Sequence, residues 1–391
     1  MSEKMQISAW NYIDARYQGA EDVRRWKEMG LTLVMTGGVD FCNPVRAAKI
    51  AEVLEECERQ GMDAIVREDQ FDIRAYLDQG KEAFEKKATE ALRFYEKFPA
   101  VKYVFVWDEP MNDEQWSAMG EVCSFIQNTS KKIKGFCSLN HYCGAAKKDL
   151  YEKLDRYVET CNPDILLYNC YSQCFDREED REQGLENYFI NLKLFSEYAK
   201  AHGLILATSL VCVGHWSIRM PTQDDICWQL NTAAANGVRQ AYWFHPFERL
   251  DETPFNQTSY RGHPINYRGE PTAIYQPLCY ENNHWLANMK GFGIYEDAKL
   301  EKVYHVFRSY GGFPYFYKGE DEYVWEIKNP YNRPLILSRF VKADGKRVLM
   351  LVNNAQRGCA DVTVVFNKEL NRPNKSGYLA AGAAMFIELD K

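Results

Sequence analysis

Two adjacent carboxyl groups follow a strand-like run in the segment KYVFVWDEPMNDEQW, residues 102–116. Residues 103–106 (YVFV) favour a buried strand, and Trp107, Asp108, Glu109 and Pro110 come directly after them. A carboxyl group enclosed by an indole and apolar walls has its charged form disfavoured, so its pKa rises and it can donate a proton near neutral pH. A glycosidic oxygen needs such a proton when it leaves. We therefore predict Glu109 and Asp108 as catalytic residues; the structural alternative is an acid cluster at a helix start.

A repeated pattern of helix, glycine and apolar strand predicts the elements that carry this pair. It occurs as KEMGLTLVMTG, ERQGMDAIVRED, KAHGLILATSL and AANGVRQAYWF. Glycine after a helix supplies the left-handed cap, and the apolar run after it is typical of a strand buried on both faces. Eight strands begin near residues 6, 31, 62, 101, 132, 164, 204 and 239, with helical patterns between them. The expected fold is therefore of the α/β class, a (β/α)8 TIM barrel.

The pattern changes near residue 300. Short strands and turns follow, in PLILSRFV, KRVLMLVNN, DVTVVF and AAMFIEL. This spacing favours a small antiparallel β-sandwich. We predict a TIM-barrel catalytic domain over residues 1–300 and a C-terminal β domain over residues 301–391.

Composition narrows the functional classes. The formal charge is −7 and no basic run occurs, which argues against a nucleic-acid partner. No apolar stretch is long enough for a membrane span, and the twelve cysteines include no Cys-x-x-Cys pair. With no signal-like N-terminus, these features favour reduced thiols and a cytoplasmic location. No dinucleotide or phosphate-binding glycine motif occurs, so no cofactor is expected. Aromatic residues make up 14%, which suits a carbohydrate site or a large aromatic core equally well.

The ends of the predicted strands supply the other candidates, because TIM-barrel active sites lie at the C-terminal ends of the strands. Candidates for contact with a sugar are Trp10, Trp107, Asn140, His141, Tyr168, Tyr171, Trp216, Trp243 and His245. Candidates for a second carboxylate are Glu68, Asp69, Glu248 and Asp251. No cluster has clear metal-ligand spacing, but His141, His215 and His245 could converge on zinc across the mouth.

The strand-four motif resembles a known clan. Asp108-Glu109-Pro110 is similar to the Asn-Glu-Pro signature of retaining glycoside hydrolases whose acid/base follows strand four and whose nucleophile lies on strand seven. The runs RMPTQDDICWQLNTAAANGVRQAYWFHPF and RGEPTAIYQPLCYENNHW resemble the corresponding parts of β-galactosidase-like barrels, and the resemblance covers about residues 6–300. It implies that Glu109 is the acid/base and that Trp243 is the floor of a sugar site.

One departure is serious, because the strand-seven run LILATSLVCVG contains no glutamate. Asp108 also replaces the asparagine of the signature. Three explanations remain open: a carboxylate from another strand, an inverting mechanism in which a base activates water, or assistance by an acetamido group of the substrate. The expected function is hydrolysis of a small glycoside or oligosaccharide. The alternatives are a carbohydrate-binding barrel that has lost its nucleophile and a metal-dependent hydrolase or isomerase. Oligomeric state is not predicted.

Overall fold

The structure is a computed structural model that describes residues 4–144, 146–249 and 259–389. Eight parallel strands form one sheet in the order β1-β8-β7-β6-β5-β4-β3-β2. They are β1 Gln6–Ala9, β2 Leu33–Val39, β3 Asp63–Glu68, β4 Val101–Asp108, β5 Lys134–Asn140, β6 Ile165–Asn169, β7 Ile205–Val211 and β8 Gln240–Phe244. The Thr32 N–H donates to the Ile7 carbonyl at 2.9 Å, which brings the start of β2 beside β1 and closes the circle.

Nine helices of the described chain surround the strands or connect to them. They are α1 Ala20–Glu28, α2 Pro44–Arg59, α3 Ile73–Gln79, α4 Lys81–Tyr95, α5 Asp113–Thr129, α6 Lys147–Cys161, α7 Glu178–His202, α8 Gln223–Ala235 and α9 Tyr275–Gly291. Local chemistry sets their limits. Asn43 caps α2 ahead of Pro44, Thr222 and Asp225 form a capping box on α8, and Gly203 ends α7 in the left-handed conformation. The TIM barrel predicted from the sequence is confirmed.

Side chains of the barrel strands alternate between two apolar layers. The interior layer contains Trp10, Phe105, Phe136, Leu167 and Tyr242. The opposite faces of the strands pack against the helices in a larger cluster. Because strand residues alternate with period two, one position decides whether a side chain enters the barrel or the helix layer.

Seven antiparallel strands follow the barrel. They form a four-stranded sheet, order β15-β12-β11-β9, and a three-stranded sheet, order β10-β13-β14. The strands are β9 Lys299–Val306, β10 Val324–Lys328, β11 Leu335–Val341, β12 Arg347–Asn353, β13 Ala360–Phe366, β14 Lys375–Leu379 and β15 Ala384–Glu388. One apolar cluster fills the space between the sheets, which confirms the predicted sandwich.

The sandwich packs against α8 of the barrel. Ser338 donates to the Ala235 carbonyl at 2.6 Å, and the Trp228 indole donates to Asn354 at 3.0 Å. Barrel residues and the α8-facing side of the four-stranded sheet share one hydrophobic cluster. Because the core is continuous here, a division into independent domains at residue 300 stays a prediction. No helix in the described ranges has the length and apolarity needed to cross a membrane.

Candidate active site

The end of β4 has an unusual backbone. Asp108 is the last residue of β4, and Glu109 adopts a positive φ of 51°. That conformation costs a residue with a side chain about 1–2 kcal/mol. It is held by a hydrogen bond at 3.1 Å from the Glu109 N–H to the carbonyl of Ser138 on β5. Backbone strain of this kind concentrates at functional sites, so the outlier itself supports a role for Glu109.

A directed chain of hydrogen bonds positions both acids. The Trp10 indole donates to Ser209 Oγ at 2.9 Å, and Ser209 donates to Asn169 Oδ1 at 2.6 Å. Because Oδ1 of Asn169 accepts from Ser209, the amide nitrogen of Asn169 points toward the two acids. It donates to Asp108 Oδ1 at 3.1 Å and to Glu109 Oε1 at 2.9 Å. These two oxygens therefore lie no more than about 6 Å apart, because both are bonded to one nitrogen.

The two acids line a cavity of about 310 Å³ at the C-terminal mouth of the barrel. Such a volume is at the lower end of the range for small-molecule sites. Its walls combine the two carboxyl groups with an amide, a guanidinium and several aromatic rings. The lining residues are Trp10, Tyr12, Asp108, Glu109, Asn169, Tyr171, Phe244, Arg249 and Tyr260.

Burial raises the pKa of Glu109, and the nearby charge of Asp108 raises it further, while the hydrogen bond from Asn169 opposes the shift. Asp108 remains accessible to solvent through the mouth but is recessed among the walls, and the surrounding protein raises its pKa as well. Hydrogen bonds from Ser138 and Asn169 and the charge of Arg67 act in the opposite direction. Both carboxyl groups therefore keep a proton to a higher pH than the free acids do.

Two tyrosines in the cavity wall, Tyr12 and Tyr171, are potential hydrogen-bond donors. Burial raises the pKa of Tyr12 and of Tyr171 well above the ordinary value, and the charge of Asp108 raises both further. Both groups therefore stay protonated and can donate hydrogen bonds to a ligand. The Tyr171 ring stacks on Phe244 with centroids 4.9 Å apart, which fixes its orientation.

A second lobe of the mouth, about 240 Å³, shares Tyr12 and Asp108 with the first. Trp107 lies in its wall, with the Arg74 guanidinium over the indole ring at 5.6 Å. The indole N–H of Trp107 is buried and has no hydrogen-bond partner among the described residues. Arg67 lies here too, over the ring of Tyr12 at 5.0 Å.

None of the described candidates for a second carboxylate lines the cavity that contains Glu109. Glu68 is buried and accepts hydrogen bonds from the Tyr95 hydroxyl and from the N–H groups of Phe41 and Gln70. Glu68 and Asp69 both contribute to the wall of the second lobe. Glu248 accepts from the Tyr267 N–H at 3.0 Å, on the loop after β8. Asp251 lies outside the described residues.

The aromatic candidates divide into two groups. Trp10 and Tyr171 line the acid-containing cavity, and Trp216 is 69% exposed and stacks on His215, a residue of the loop after β7. Tyr168 and Trp243, by contrast, belong to the helix layer. Tyr168 stacks on Phe195 of α7 at 4.1 Å, and the Trp243 indole donates to Asn282 of α9 at 2.9 Å. The expectation of Trp243 as a sugar floor is corrected accordingly, because its position in β8 points away from the barrel axis.

The polar candidates Asn140, His141 and His245 do not line the acid-containing cavity. Asn140 and His141 line another cavity, which the β4–α5 loop also borders. His245 is buried behind the mouth, and its ring contacts the rings of Tyr12, Phe244 and Tyr260.

The zinc alternative needs three histidines at one point. His215 and His245 each pack against the ring of Tyr260, whereas His141 lines the other cavity. Across the parts of the chain that the structure describes, no group of three His, Cys, Asp or Glu side chains is arranged to hold a metal ion.

Several residues of the site were not among the sequence candidates. Asn169, Ser209 and Tyr12 lie at strand ends, so their position was a usable signal, but their chemistry alone does not distinguish them from ordinary loop residues. Tyr260 and Arg249 come from the long segment after β8, where no periodic pattern predicts which side chain returns to the mouth.

Comparisons with solved structures agree with the barrel. A β-galactosidase from the psychrophilic Marinomonas ef1 matches with a TM-score of 0.53 and 10% identity, over 74% of this chain and 60% of that one. A β-galactosidase from the Antarctic haloarchaeon Halorubrum lacusprofundi matches with a TM-score of 0.53 and 11% identity, over 72% and 58%. A glycosyl hydrolase family 2 member from Bacteroides cellulosilyticus has a TM-score of 0.45 and 12% identity, over 99% and 43%.

The chain thus spans about 43–60% of the length of the first solved structures that it matches. No protein-family model matches the chain, and no curated protein matches it in sequence. At identities of 10–11%, the likeness to the two β-galactosidases establishes the fold alone.

Proposed function

We propose that this protein is a glycoside hydrolase in which Glu109 is the general acid/base. The observation that carries the proposal is the shared Asn169 amide, which holds Glu109 and Asp108 together in the wall of the mouth cavity. Burial keeps Glu109 protonated to a higher pH than a free glutamate. Aromatic faces around it can stack on the C–H faces of a sugar ring.

Asp108 has a supporting role in this proposal. Both acids come from one strand end and share one donor, so they lie side by side. A retaining or inverting pair must instead flank the sugar ring from opposite sides. Asp108 is therefore better placed to orient a nucleophile than to attack the anomeric carbon itself.

Substrate assistance fits this arrangement best among the three mechanisms. An acetamido oxygen on the sugar would attack the anomeric carbon while Glu109 protonates the leaving oxygen. Asp108 would accept a hydrogen bond from the acetamido N–H and stabilise the charge that develops there. Sugars with a 2-acetamido group are accordingly the first substrates to test.

Activity on paired leaving groups tests the role of Glu109. Phenyl and 2,4-dinitrophenyl glycosides of several sugars, including 2-acetamido sugars, would be assayed with the wild type, Glu109→Gln and Glu114→Gln. Glu114 is the matched control, since it is an exposed acid in the first turn of α5. We expect Glu109→Gln to lose about 10²- to 10⁴-fold on phenyl glycosides and much less on dinitrophenyl glycosides, whose leaving group needs no proton. Full activity of Glu109→Gln on a phenyl glycoside would refute the assignment.

A sugar-binding barrel without catalysis is the second candidate. The observation that favours it is Ser209 on β7, which is engaged by both Trp10 and Asn169 where the resembling clan has its nucleophile. Saturable sugar binding without turnover of any glycoside in the panel would select this function.

A further inference from the structure

A separate cavity lies beside the catalytic loop and takes no part in the proposed chemistry so far. Its volume is about 340 Å³. It is enclosed by the β4–α5 loop, the first turns of α5 and α6, and the segment after β5. An apolar cavity of about 150 Å³ can hold a benzene ring, so this one has room for two fused rings.

The walls of this cavity are mainly apolar. Trp116, Leu139 and Leu150 are buried side chains of the main hydrophobic cluster and form its floor and sides. Met111 lies at its edge and is 76% exposed. The Asn140 amide donates to the Met111 sulfur at 3.7 Å and holds the two side chains together. An apolar ligand in this space would cover Met111 and the apolar side chains of the cavity walls.

The cavity borders two segments that neighbour the catalytic acid, which itself lines the mouth cavity. Pro110, in its wall, is the residue that follows Glu109. Asn140 pairs with Asn169 across the β5–β6 ladder, and His141 follows Asn140 in the wall of the cavity. The same short segments therefore position the acid and form the wall of the cavity.

A general acid must lie beside the leaving oxygen, so the leaving group passes next to Glu109. We propose that this cavity binds the aglycone and that the preferred substrates are glycosides of apolar phenols or alcohols. The inference rests on the proposed hydrolase function. In the net reaction the glycosidic C–O bond breaks and Glu109 gives its proton to the aglycone oxygen. Water then supplies a hydroxyl to the anomeric carbon and a proton to Glu109.

Two exposed cysteines provide a matched pair for the test. Cys143 lines the cavity, whereas Cys42 is exposed just before α2 and lines neither the cavity nor the mouth. Cys143→Trp would fill the cavity without replacing a buried side chain, and Cys42→Trp makes the same change elsewhere. Equal melting temperatures would show that both variants are folded.

The assay compares 2-naphthyl and phenyl glycosides of one sugar, whose leaving groups have nearly equal acidity. Burying the second ring should raise kcat/KM of the wild type about tenfold for the naphthyl substrate. Cys143→Trp should abolish that preference, and Cys42→Trp should keep it. In parallel, quenching of tryptophan fluorescence by 2-naphthol measures binding without turnover and should be saturable in the wild type and weakened in Cys143→Trp alone.

The outcomes separate the two proposals. An active wild type without a naphthyl preference, or with a preference that survives Cys143→Trp, would overturn the aglycone site and leave the hydrolase function intact. A wild type that hydrolyses no glycoside would overturn both, whatever its affinity for 2-naphthol.

Discussion

The ends of β3 and β4 present the same chemical pattern with different outcomes. Each carries two adjacent acids, Glu68–Asp69 on one and Asp108–Glu109 on the other. Burial raises the pKa of Glu68 to about 8 and also raises the pKa of Glu109. A raised pKa by itself therefore does not identify the active acid, since structural acids acquire it too.

The difference lies in the unused hydrogen-bonding capacity of each acid. Glu68 is 2% exposed and takes donors from Tyr95, Phe41 and Gln70. Glu109 accepts from Asn169 and faces a cavity. Their backbones differ as well, with an ordinary φ of −104° at Glu68 and the strained φ of 51° at Glu109. An acid whose oxygens are already taken by neighbouring donors has a structural role, whereas an acid with open capacity and a strained backbone is available for chemistry.

The largest expected effect separates the two acids by activity. On phenyl glycosides, Glu109→Gln should lower kcat/KM by about 10²- to 10⁴-fold, because it removes the transferable proton. Glu68→Gln should change it by less than about threefold, since surrounding donors already occupy that carboxyl group. Steady-state kinetics on both purified variants measures this. Equal losses in the two variants would erase the distinction drawn between the strand ends.

The donor shared by Asp108 and Glu109 should have the next largest effect. Asn169→Ala should lower kcat by about 10²-fold, because both acids lose their positioning group. Asn169 lowers the pKa of Glu109 by bonding to its charged form, so its loss should raise that pKa. Glu109 would then stay protonated to higher pH, and the alkaline limb of the rate profile should move upward. Asn128→Ala, an exposed change on α5, is the control; an unmoved limb would argue against the shared donor.

Stability against pH should report on Glu68. In the unfolded chain its carboxyl ionises near 4.5, whereas in the folded protein it stays protonated up to about 8. Its contribution to the free energy of unfolding is therefore complete below the unfolded value and is lost as the pH rises through the folded one. We expect wild-type stability to fall by more than about 1 kcal/mol across this window relative to Glu68→Gln. Urea unfolding of both proteins at several pH values is the measurement, and parallel curves would contradict it.

The smallest effect is expected for Asp69, the second acid at the end of β3. Asp69 is exposed and lines the outer lobe of the mouth. Asp69→Asn should change stability by less than about 0.5 kcal/mol and leave kcat within about threefold. The equivalent change Asp108→Asn should reduce kcat strongly if Asp108 orients the nucleophile. Comparable kinetics for the two variants would show that Asp108 has no such role.

The outline of the barrel was predictable because it depends on local signals. Predicted strand starts lie within about two residues of the observed ones, from Gln6 in β1 to Gln240 in β8. Glycine caps and apolar runs are properties of short segments, so no long-range information is needed to find them. The acid pair after β4 was accessible for the same reason, since strand ends converge in a parallel barrel.

The set of side chains in the site could not be predicted in the same way. It depends on how strand side chains alternate between the two faces of the sheet and on segments distant in sequence. Trp243 and Trp10 both occur at strand ends, yet one packs against α9 and the other lines the mouth. A shift of one residue turns a strand side chain to the opposite face. Strand positions predicted to within about two residues therefore cannot say which face a side chain occupies. Tyr260 reaches the cavity from a segment without periodicity.

The sequence by itself therefore determined the eight βα units, the sandwich after them and the acid pair at the end of β4. Only the tertiary structure decided that Asn169 of β6 joins Asp108 to Glu109, that Ser209 of β7 turns that amide toward them, and that the Tyr95 hydroxyl donates to Glu68. The physical reason is that each hydrogen bond in the series from Trp10 to the two acids joins residues at the ends of different strands. Its geometry depends on barrel closure and strand register, which no single segment encodes.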